Sequence, residues 1–189
     1  MIYGYFLLSQ NRVFNELLRG HRLLFRLFSL VTLFCAGLVL APVSLDAFET
    51  TSKQGILVDV ATGTVLFEKN ADEKMPPSSM SKMMTIYQVF DALKEGSLSL
   101  DDKFLVSEKA WRKGGSKMYV SVNTRVNVED LIKGVIVQSG NDASIVIAEG
   151  LSGSEPAFAL ELNELAKKLS MTNSSFVNSS GWPDPDHYT

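Results

Sequence analysis

Residues 76–96 read PPSSMSKMMTIYQVFDALKEG, and this stretch predicts a central helix of the fold. Two prolines cannot continue a strand but suit the first turn of a helix, so we expect the helix to begin around Ser78 or Ser79. Gly96 is a typical residue for its end. We expect this helix to be the buried centre of the domain. Its apolar residues recur at spacings of three and four, as on one helical face: Met80, Met83, Met84, Tyr87, Phe90 and Leu93.

Two short apolar runs precede this helix and predict a β-hairpin. Residues 56–60 and 64–67 are rich in β-branched and apolar side chains, and Ala61, Thr62 and Gly63 separate them. Short runs of this composition on either side of a tight turn are typical of paired antiparallel strands.

A second helix is predicted at residues 128–138. Its apolar positions recur with helical spacing, and Glu129 and Asp130 lie in its first turn, where the helix dipole favours negative charge. The region before it is mixed in character. Two adjacent glycines interrupt any helix there, and residues 118–122 predict a short strand.

Two further helices are predicted towards the end of the chain. Residues 141–151 follow a Ser-Gly break, and a last helix runs to about residue 169. Ser154 is its expected cap and Pro156 lies in its first turn. The sequence therefore predicts an α/β (α+β) chain in which a hairpin is followed by a cluster of helices.

The first 47 residues have the layout of a secretory signal peptide. Arginines precede an apolar run at residues 27–40, and small residues follow up to Ala47. The run of about 14 residues is shorter than the roughly 20 that a membrane-spanning helix needs. We therefore expect cleavage near Ala47 and export; an uncleaved leader that acts as a tether is the alternative. The basic residues are Arg12, Arg19, Arg22 and Arg26.

Composition restricts the class of the remaining chain, residues 48–189. Cys35 is the only cysteine and lies in the leader, so the mature chain would hold no thiol, which suits an oxidising compartment. Removing residues 1–47 takes four arginines, Glu16 and Asp46 from 18 basic and 21 acidic side chains and leaves a formal charge of −5. An acidic chain of this kind argues against a nucleic-acid partner.

The most informative candidate site is Ser79-Met80-Ser81-Lys82, because residues three apart on a helix share one face. A lysine amine whose pKa is lowered by burial can take the proton of a serine hydroxyl and make it nucleophilic. Free N–H groups at a helix start favour a developing oxyanion. The alternative is a helix cap beside a solvated lysine. This is the only Ser-x-x-Lys in the chain, and it lies where a helix begins, which favours the catalytic interpretation.

A second candidate is Ser139-Gly140-Asn141, at the break between two apolar helices. Asn141 could hold a substrate amide, and Ser139 could relay a proton. The Ser-x-Asn pattern alone is weak, since residues 9–11 and 121–123 also match it, and a turn or cap is the alternative for each.

Other side chains predict less chemistry. The methionines Met80, Met83 and Met84 follow helical spacing and are interpreted as core packing. No cluster of histidine, cysteine and acidic residues indicates a metal site, and we expect neither a metal nor another cofactor. A Ser-His-Asp triad would depend on His187, because His21 lies in the leader, and we do not favour it.

The two motifs together resemble those of the low-molecular-mass penicillin-binding proteins, the serine-type D-alanyl-D-alanine carboxypeptidases. The resemblance runs from the hairpin, through residues 79–85 and 139–143, to Asn178-Ser179-Ser180-Gly181. It implies a β-lactamase/DD-peptidase-like domain, a peptidoglycan stem peptide ending in D-Ala-D-Ala as substrate, and β-lactam antibiotics as ligands. With the leader, it predicts an exported protein, in the periplasm or at the outer face of the cytoplasmic membrane, which an uncleaved leader would associate with the membrane surface.

The same resemblance implies a role for each site residue. Ser79 would be the nucleophile that forms an acyl-enzyme, and Lys82 its general base. Ser139 would assist proton transfer to the leaving group, and Asn141 would bind the substrate backbone. Water would then release the acyl group from Ser79.

The chain departs from this family in one motif. A Lys-Thr-Gly or Lys-Ser-Gly triplet normally recognises the substrate carboxylate, and no such triplet occurs. Most of the family's central antiparallel sheet would also be missing, so residues 48–189 are expected to be an incomplete, truncated catalytic domain. We therefore expect the apolar faces of the Ser79 helix to be partly uncovered, and the isolated chain to be unstable and weakly active or inactive.

Three other interpretations remain open. A serine β-lactamase shares the first motif, but the Glu-x-x-Leu-Asn pattern of one class is absent, since Ala159 stands where its glutamate would precede Leu162-Asn163. A non-catalytic penicillin-binding or cell-wall fragment would bind without turnover. A complementary fragment encoded downstream would restore activity on co-expression.

Overall fold

The computed structural model describes residues 50–189 of the chain. The predicted leader, residues 1–47, and Cys35 lie outside the described residues. The part from Lys53 to Thr189 forms one unit, which contains the hairpin, the helices and every candidate site residue.

The predicted hairpin is confirmed. Strands β1 (Gly55–Val58) and β2 (Val65–Lys69) pair antiparallel, with Leu57 opposite Phe67. The carboxylate of Asp59 accepts hydrogen bonds from the backbone N–H groups of the next residues, at 2.8 Å from Ala61 N, and so closes the turn. Most apolar side chains of both strands are exposed.

The helix predicted from the opening stretch begins and ends where expected. A 3-10 turn at Ser78–Ser81 leads into helix α1 (Lys82–Glu95), which ends at Gly96 in the left-handed conformation. The tight turn matters for the site, because it places Ser79 and Lys82 on the same side of the chain at the helix entry.

The apolar face predicted for α1 is covered only in part. Met84 is buried and Leu93 half-buried, but the other four residues of the face are exposed, so the interpretation of Met80 and Met83 as core packing is wrong. Met83 is 69% exposed and Phe90 50% exposed, and Tyr87 is exposed as well. The side that packs against the other helices carries Thr85 and Val89 together with Met84 of the predicted face. Apolar residues occur around most of this helix, so their period alone did not decide which side is covered. The expected partly uncovered apolar face is confirmed.

Three short elements were not predicted. Strand β3 (Lys103–Leu105) pairs antiparallel with β4 (Arg125–Asn127), and helix α2 (Glu108–Arg112) begins after the Ser107 cap. Each strand has three residues and the helix has five, which is too short for a periodic pattern to be recognised in the sequence. The strand predicted at residues 118–122 is absent from the structure, because a buried carboxylate rather than a neighbouring strand binds the backbone N–H groups there.

The three remaining helices are confirmed: α3 (Val128–Gln138), α4 (Asn141–Ser152) and α5 (Glu155–Lys168). Ser154 caps α5, as predicted, by accepting a hydrogen bond from Ala157 N. Helix α4 has eight consecutive buried residues at its start and packs against α1, α3 and α5. The buried centre of the domain is therefore α4, and its expected assignment to the Ser79 helix is wrong.

The helical cluster encloses two groups of buried side chains. The larger group joins α1, α3 and α4, and the smaller one joins α4 and α5 with Phe176 of the last segment. Among residues 50–189, no helix is long and apolar enough to cross a membrane.

Candidate active site

Ser79 lies on the exposed side of the 3-10 turn, next to buried neighbours that fix the turn. Pro77 and Ser81 are buried, and Ser78 has a positive φ of 50°. The Nζ atom of Lys82 donates a hydrogen bond to the Ser79 hydroxyl oxygen at 3.1 Å. The turn thus presents a hydroxyl to solvent while holding an amine against it.

The ammonium group of Lys82 is buried among oxygen atoms. Lys82 is 4% exposed, and its Nζ atom also donates to Asn141 Oδ1 at 2.8 Å and to the carbonyl oxygen of Ser180 at 3.0 Å. None of the three partners is an anion. Burial therefore dominates and lowers the pKa of Lys82 from 10.5 to about 8.

This arrangement determines from which neighbour a neutral Lys82 can take a proton. The oxygens of Asn141 and Ser180 are acceptors only, so they need hydrogen atoms from Nζ. The hydroxyl of Ser79 can also donate. When the amine is neutral, its two hydrogens can satisfy Asn141 and Ser180, and its lone pair then faces the Ser79 hydroxyl. The geometry fits proton abstraction from Ser79.

Asn141 is the first residue of α4, and both ends of its carboxamide are bound by the protein. Its Nδ2 group donates to the carbonyl oxygen of Gly114 at 2.9 Å, which directs Oδ1 to Lys82. Its backbone N–H donates to Ser116 O at 2.8 Å. In this structure Asn141 first of all orients Lys82, a contact that the sequence motif did not indicate.

Ser139 lies on the opposite wall of a cleft from Ser79. The cleft has a volume of about 270 Å³ and is lined by both serines, Lys82 and apolar side chains of α1 and α3. Ser139 ends α3 in the left-handed conformation, with φ 54°. Its hydroxyl has no hydrogen-bond partner among residues 50–189, so it is available to a molecule in the cleft. The structure thus brings all four candidate residues to one place.

Asp142, next to Asn141, was missed by the sequence analysis. Its carboxylate is fully buried and accepts hydrogen bonds from the backbone N–H groups of Met118, Tyr119 and Val120, at 2.9–3.2 Å. These bonds attach the segment before β4 to the start of α4. The only sequence signal was an acidic residue in the first turn of an otherwise apolar helix.

The segment at residues 178–182 forms the side of the site that faces Lys82. The Oδ1 atom of Asn178 accepts from three successive backbone N–H groups and shapes a tight turn. The turn directs the Ser180 carbonyl at Lys82. Gly181 has φ 73°, and a Cβ atom there would overlap the backbone carbonyl of Ser78, so glycine is required by close approach as well as by conformation.

A buried acidic residue anchors this segment. Glu155 accepts hydrogen bonds from the backbone N–H and the hydroxyl of Ser179, at 3.0 and 2.7 Å, and its other oxygen pairs with Lys109 at 2.7 Å. Burial acts to raise the pKa of Glu155, but the bonds from Lys109 and Ser179 outweigh it and hold the pKa below its usual value. Ser179 also accepts from the Thr85 hydroxyl, which ties the segment to α1.

Two features lie apart from this site. A larger cavity of about 480 Å³ between α1 and α5 is lined by none of the four candidate residues. Among residues 50–189, no group of three or more histidine, cysteine or acidic side chains is placed to hold a metal ion.

A serine beside a buried lysine, with a second serine lining the same cleft, offers the groups that acyl transfer to a serine hydroxyl requires. Residues 41–189 match the family described as D-alanyl-D-alanine carboxypeptidase. The chain therefore belongs to the D-alanyl-D-alanine carboxypeptidase family, as the two motifs indicated.

One curated relative shows the extent of the match. The chain is 38% identical over 138 residues to D-alanyl-D-alanine carboxypeptidase DacF of Bacillus subtilis, which covers 73% of this chain and 36% of that protein. The chain thus spans about a third of the length of this relative.

Solved structures confirm the expected fold class. The structure of D-alanyl-D-alanine carboxypeptidase DacD from Francisella tularensis matches with a TM-score of 0.73 and 40% identity, over 76% of this chain and 35% of that one. Penicillin-binding protein D2 from Listeria monocytogenes, in its ampicillin-bound form, matches with a TM-score of 0.66 and 29% identity, over 75% and 57% of the two chains. The fold is that of part of a penicillin-binding, DD-peptidase-like domain.

Proposed function

We propose that this protein is a serine-type D-Ala-D-Ala carboxypeptidase that forms an acyl-enzyme on Ser79. The observation that carries the proposal is the three-acceptor environment of Lys82, in which only Ser79 can return a proton to a neutral amine. Family membership supplies the substrate class, a peptidoglycan stem peptide that ends in D-Ala-D-Ala.

The proposed reaction has two stages. In the first, the Ser79 hydroxyl oxygen attacks the carbonyl carbon of the penultimate D-alanine while its proton passes to Lys82. The C–N bond then breaks, and the terminal D-alanine leaves with a proton on its amine. In the second, water attacks the ester carbonyl carbon and gives a proton to the same base, which passes it to the Ser79 oxygen as the ester C–O bond breaks and the peptide is released.

Ser139 is proposed to carry the proton from Lys82 to the leaving amine. Its hydroxyl is unbound among the described residues and lines the same cleft as Ser79 and Lys82. A hydroxyl can accept and donate at once, which a relay requires. Asn141 is proposed to orient Lys82, and the second hydrogen of its Nδ2 group remains available to a substrate carbonyl.

β-Lactam antibiotics are proposed as ligands because their ring amide offers the same serine a reactive carbonyl. The ampicillin-bound relative from Listeria monocytogenes supports this proposal. The cleft lining within residues 50–189 includes no glutamate that could activate a deacylating water, so we expect the β-lactam ester to be long-lived. A long-lived β-lactam ester distinguishes a carboxypeptidase from a serine β-lactamase, which hydrolyses that ester rapidly.

The site of action is proposed to be the periplasm or the outer face of the cytoplasmic membrane. The supporting observations are the basic and apolar leader in residues 1–47 and the location of peptidoglycan outside that membrane. An uncleaved leader, the alternative to cleavage near Ala47, would in addition tether the protein to the membrane surface.

Release of D-alanine tests the proposed function. A peptide ending in D-Ala-D-Ala and its L-Ala-L-Ala isomer are incubated with the protein and with Ser79→Ala, and free alanine is measured. The peptide is supplied at millimolar concentration, so that release is detected even where binding is weak. Release from the D-isomer alone, lost in Ser79→Ala, supports the proposal. Binding of β-lactam without release would favour a non-catalytic penicillin-binding fragment.

A further inference from the structure

His187 is a buried histidine that the proposed reaction does not use. It is 3% exposed, and its Nε2 atom lies 2.7 Å from the Oγ atom of Ser81. Its ring packs edge-on against Phe176, with 5.5 Å between ring centroids. A polar side chain this deep in the protein needs both of its nitrogens satisfied.

The hydrogen bonds assign the tautomer of the ring. The backbone N–H of Val177 donates to Nδ1 at 3.3 Å, so Nδ1 carries no proton. Nε2 then carries the proton of the neutral ring and donates it to Ser81. Burial lowers the pKa of His187, more than the charge of Asp184 raises it, which keeps the ring neutral.

Ser81 gives this bond its importance, because it lies in the turn between the proposed nucleophile and its base. Ser81 is buried, and its hydroxyl points away from the cleft towards His187. A Cβ atom at Gly181 would come within 2.8 Å of the same hydroxyl oxygen. Ser81 is therefore enclosed by the last segment of the chain.

The same segment contacts the site on both sides of Ser81. On one side, Ser180 accepts a hydrogen bond from Lys82. On the other, Thr189 exchanges two backbone hydrogen bonds with Met75, at 2.9 and 3.0 Å, just before the two prolines. We define residues 174–189 as the closing segment. It borders the 3-10 turn from its entry to Lys82.

We propose that His187 is a positioning residue for Ser79 and Lys82, and that it acts through its hydrogen bond to Ser81, which holds the closing segment against the 3-10 turn. This inference rests on the proposed acylation of Ser79. His187 touches neither substrate nor the reacting atoms. When the hydrogen bond between His187 and Ser81 is lost, the Ser180 carbonyl moves away from Lys82 and water enters. The Lys82 amine is then hydrated and no longer aligned with Ser79.

Four variants test this inference. Ser81→Ala removes the acceptor, and His187→Phe removes the donor while keeping an aromatic ring. His187→Gln keeps an N–H group near the position of Nε2 and should restore part of the function. Ser174→Ala is the matched control, since it removes a 2.6 Å hydrogen bond between Ser174 and Thr189 within the closing segment but away from Ser81.

Two readouts are needed. The first separates the affinity for a fluorescent penicillin from the rate constant of acylation. We expect Ser81→Ala and His187→Phe to lower the rate constant roughly 10- to 100-fold with little change in affinity, as for a small misplacement of reacting groups. The double variant that combines Ser81→Ala with His187→Phe should be no slower than either single variant, because both substitutions remove the same hydrogen bond. Ser174→Ala should acylate as the wild type does.

The second readout is the pKa of Lys82, followed by NMR of its side-chain Cε in folded protein. Ser81→Ala and His187→Phe should raise it from about 8 towards 10.5, while Ser174→Ala should leave it unchanged. An unchanged Lys82 pKa in folded Ser81→Ala overturns the inference. Failure of the wild type to acylate, with the expected pKa changes present, overturns the proposed function and leaves the positioning role supported. Should His187→Phe not fold, Ser81→Ala alone decides.

Discussion

The Oδ1 atom of Asn141 lies 2.8 Å from the Nζ atom of Lys82, although 59 positions separate the two residues along the chain. This contact joins the two motifs into one site. Because the carboxamide is itself held by the Gly114 carbonyl, the position of Lys82 depends on the loop before β4 as well as on its own helix.

Replacing Asn141 by aspartate should slow acylation at neutral pH. A carboxylate at this position favours the charged form of Lys82 and raises its pKa above 8. We expect the pH at which acylation is half-maximal to move upwards in Asn141→Asp. The measurement is the rate of penicillin acylation between pH 6 and 10. Asn163→Asp is the control. It makes the same change at a half-buried asparagine that binds backbone groups of Ala159 and Phe176, and it should not alter the pH of half-maximal acylation.

The pH dependence of the wild type follows from the same lysine. Lys82 must lose a proton before it can accept one from Ser79, so the acylation rate should rise about tenfold per pH unit below pH 8 and level off above it. Roughly one molecule in ten has the neutral amine at pH 7. Lys82→Arg should not acylate at any of these pH values, since arginine stays protonated. A rate that is already level below pH 7 contradicts this assignment.

Gly181→Ala should unfold the site for two reasons, its left-handed backbone conformation and the close approach of the Ser78 backbone. A second glycine, with the first property alone, separates them. Gly153 has φ 75°, close to the 73° of Gly181, but a Cβ atom there meets nothing within 4 Å. Gly153→Ala should therefore cost only the conformational term of about 1–2 kcal/mol. Gly181→Ala adds an overlap with the Ser78 backbone, so we expect a larger loss in the free energy of unfolding and no acylation. Equal losses in urea denaturation of the two variants are incompatible with this close approach.

The stability of the protein should fall in mild acid through His187. Its folded pKa is lowered by burial, so below pH 6.5 the unfolded chain binds the proton first and the free energy of unfolding decreases. Above pH 6.5 both states are neutral and this contribution is constant. Urea denaturation between pH 5.5 and 7.5 should show the decrease in the wild type, and His187→Gln should lessen it. An identical pH slope in that variant assigns the effect to other groups.

The open apolar face, defined as Met83, Tyr87 and Phe90, should be available to an apolar dye. We expect Phe90→Ser to reduce the fluorescence of bound anilinonaphthalene sulfonate while changing the free energy of unfolding by less than about 1 kcal/mol. Val89→Ala, at a fully buried neighbour, should cost about 2 kcal/mol and leave dye binding unchanged. Strong destabilisation by Phe90→Ser would show that the face is covered in solution.

The helices with an apolar pattern that repeats over several turns, or with a clear cap, could be predicted from the sequence. Helix α3 carries its apolar stripe and two acidic residues at its start, and Ser154 marks α5. The helix of residues 82–95 could be located but not oriented, because apolar residues occur on most of its sides. Strand β3 is only three residues long, and no periodic signal exists at that length.

The site could be predicted in part for the same physical reason. Ser79 and Lys82 are three residues apart, so local geometry alone brings them together. Asn141 could be proposed from its place between two apolar helices and from the family resemblance, but its contact with Lys82 depends on how α4 packs. The hydrogen bonds of Asp142 and His187 join residues far apart in the chain, so no local sequence pattern predicts them.

Mass spectrometry of the penicillin-treated chain tests the central claim most directly. The wild type and Ser79→Ala are incubated with benzylpenicillin, and intact mass and peptide mapping locate any adduct. We predict one added penicillin on the peptide that contains Ser79, and no adduct in Ser79→Ala. An adduct that persists in Ser79→Ala, or a folded wild type that remains unlabelled, would contradict the account.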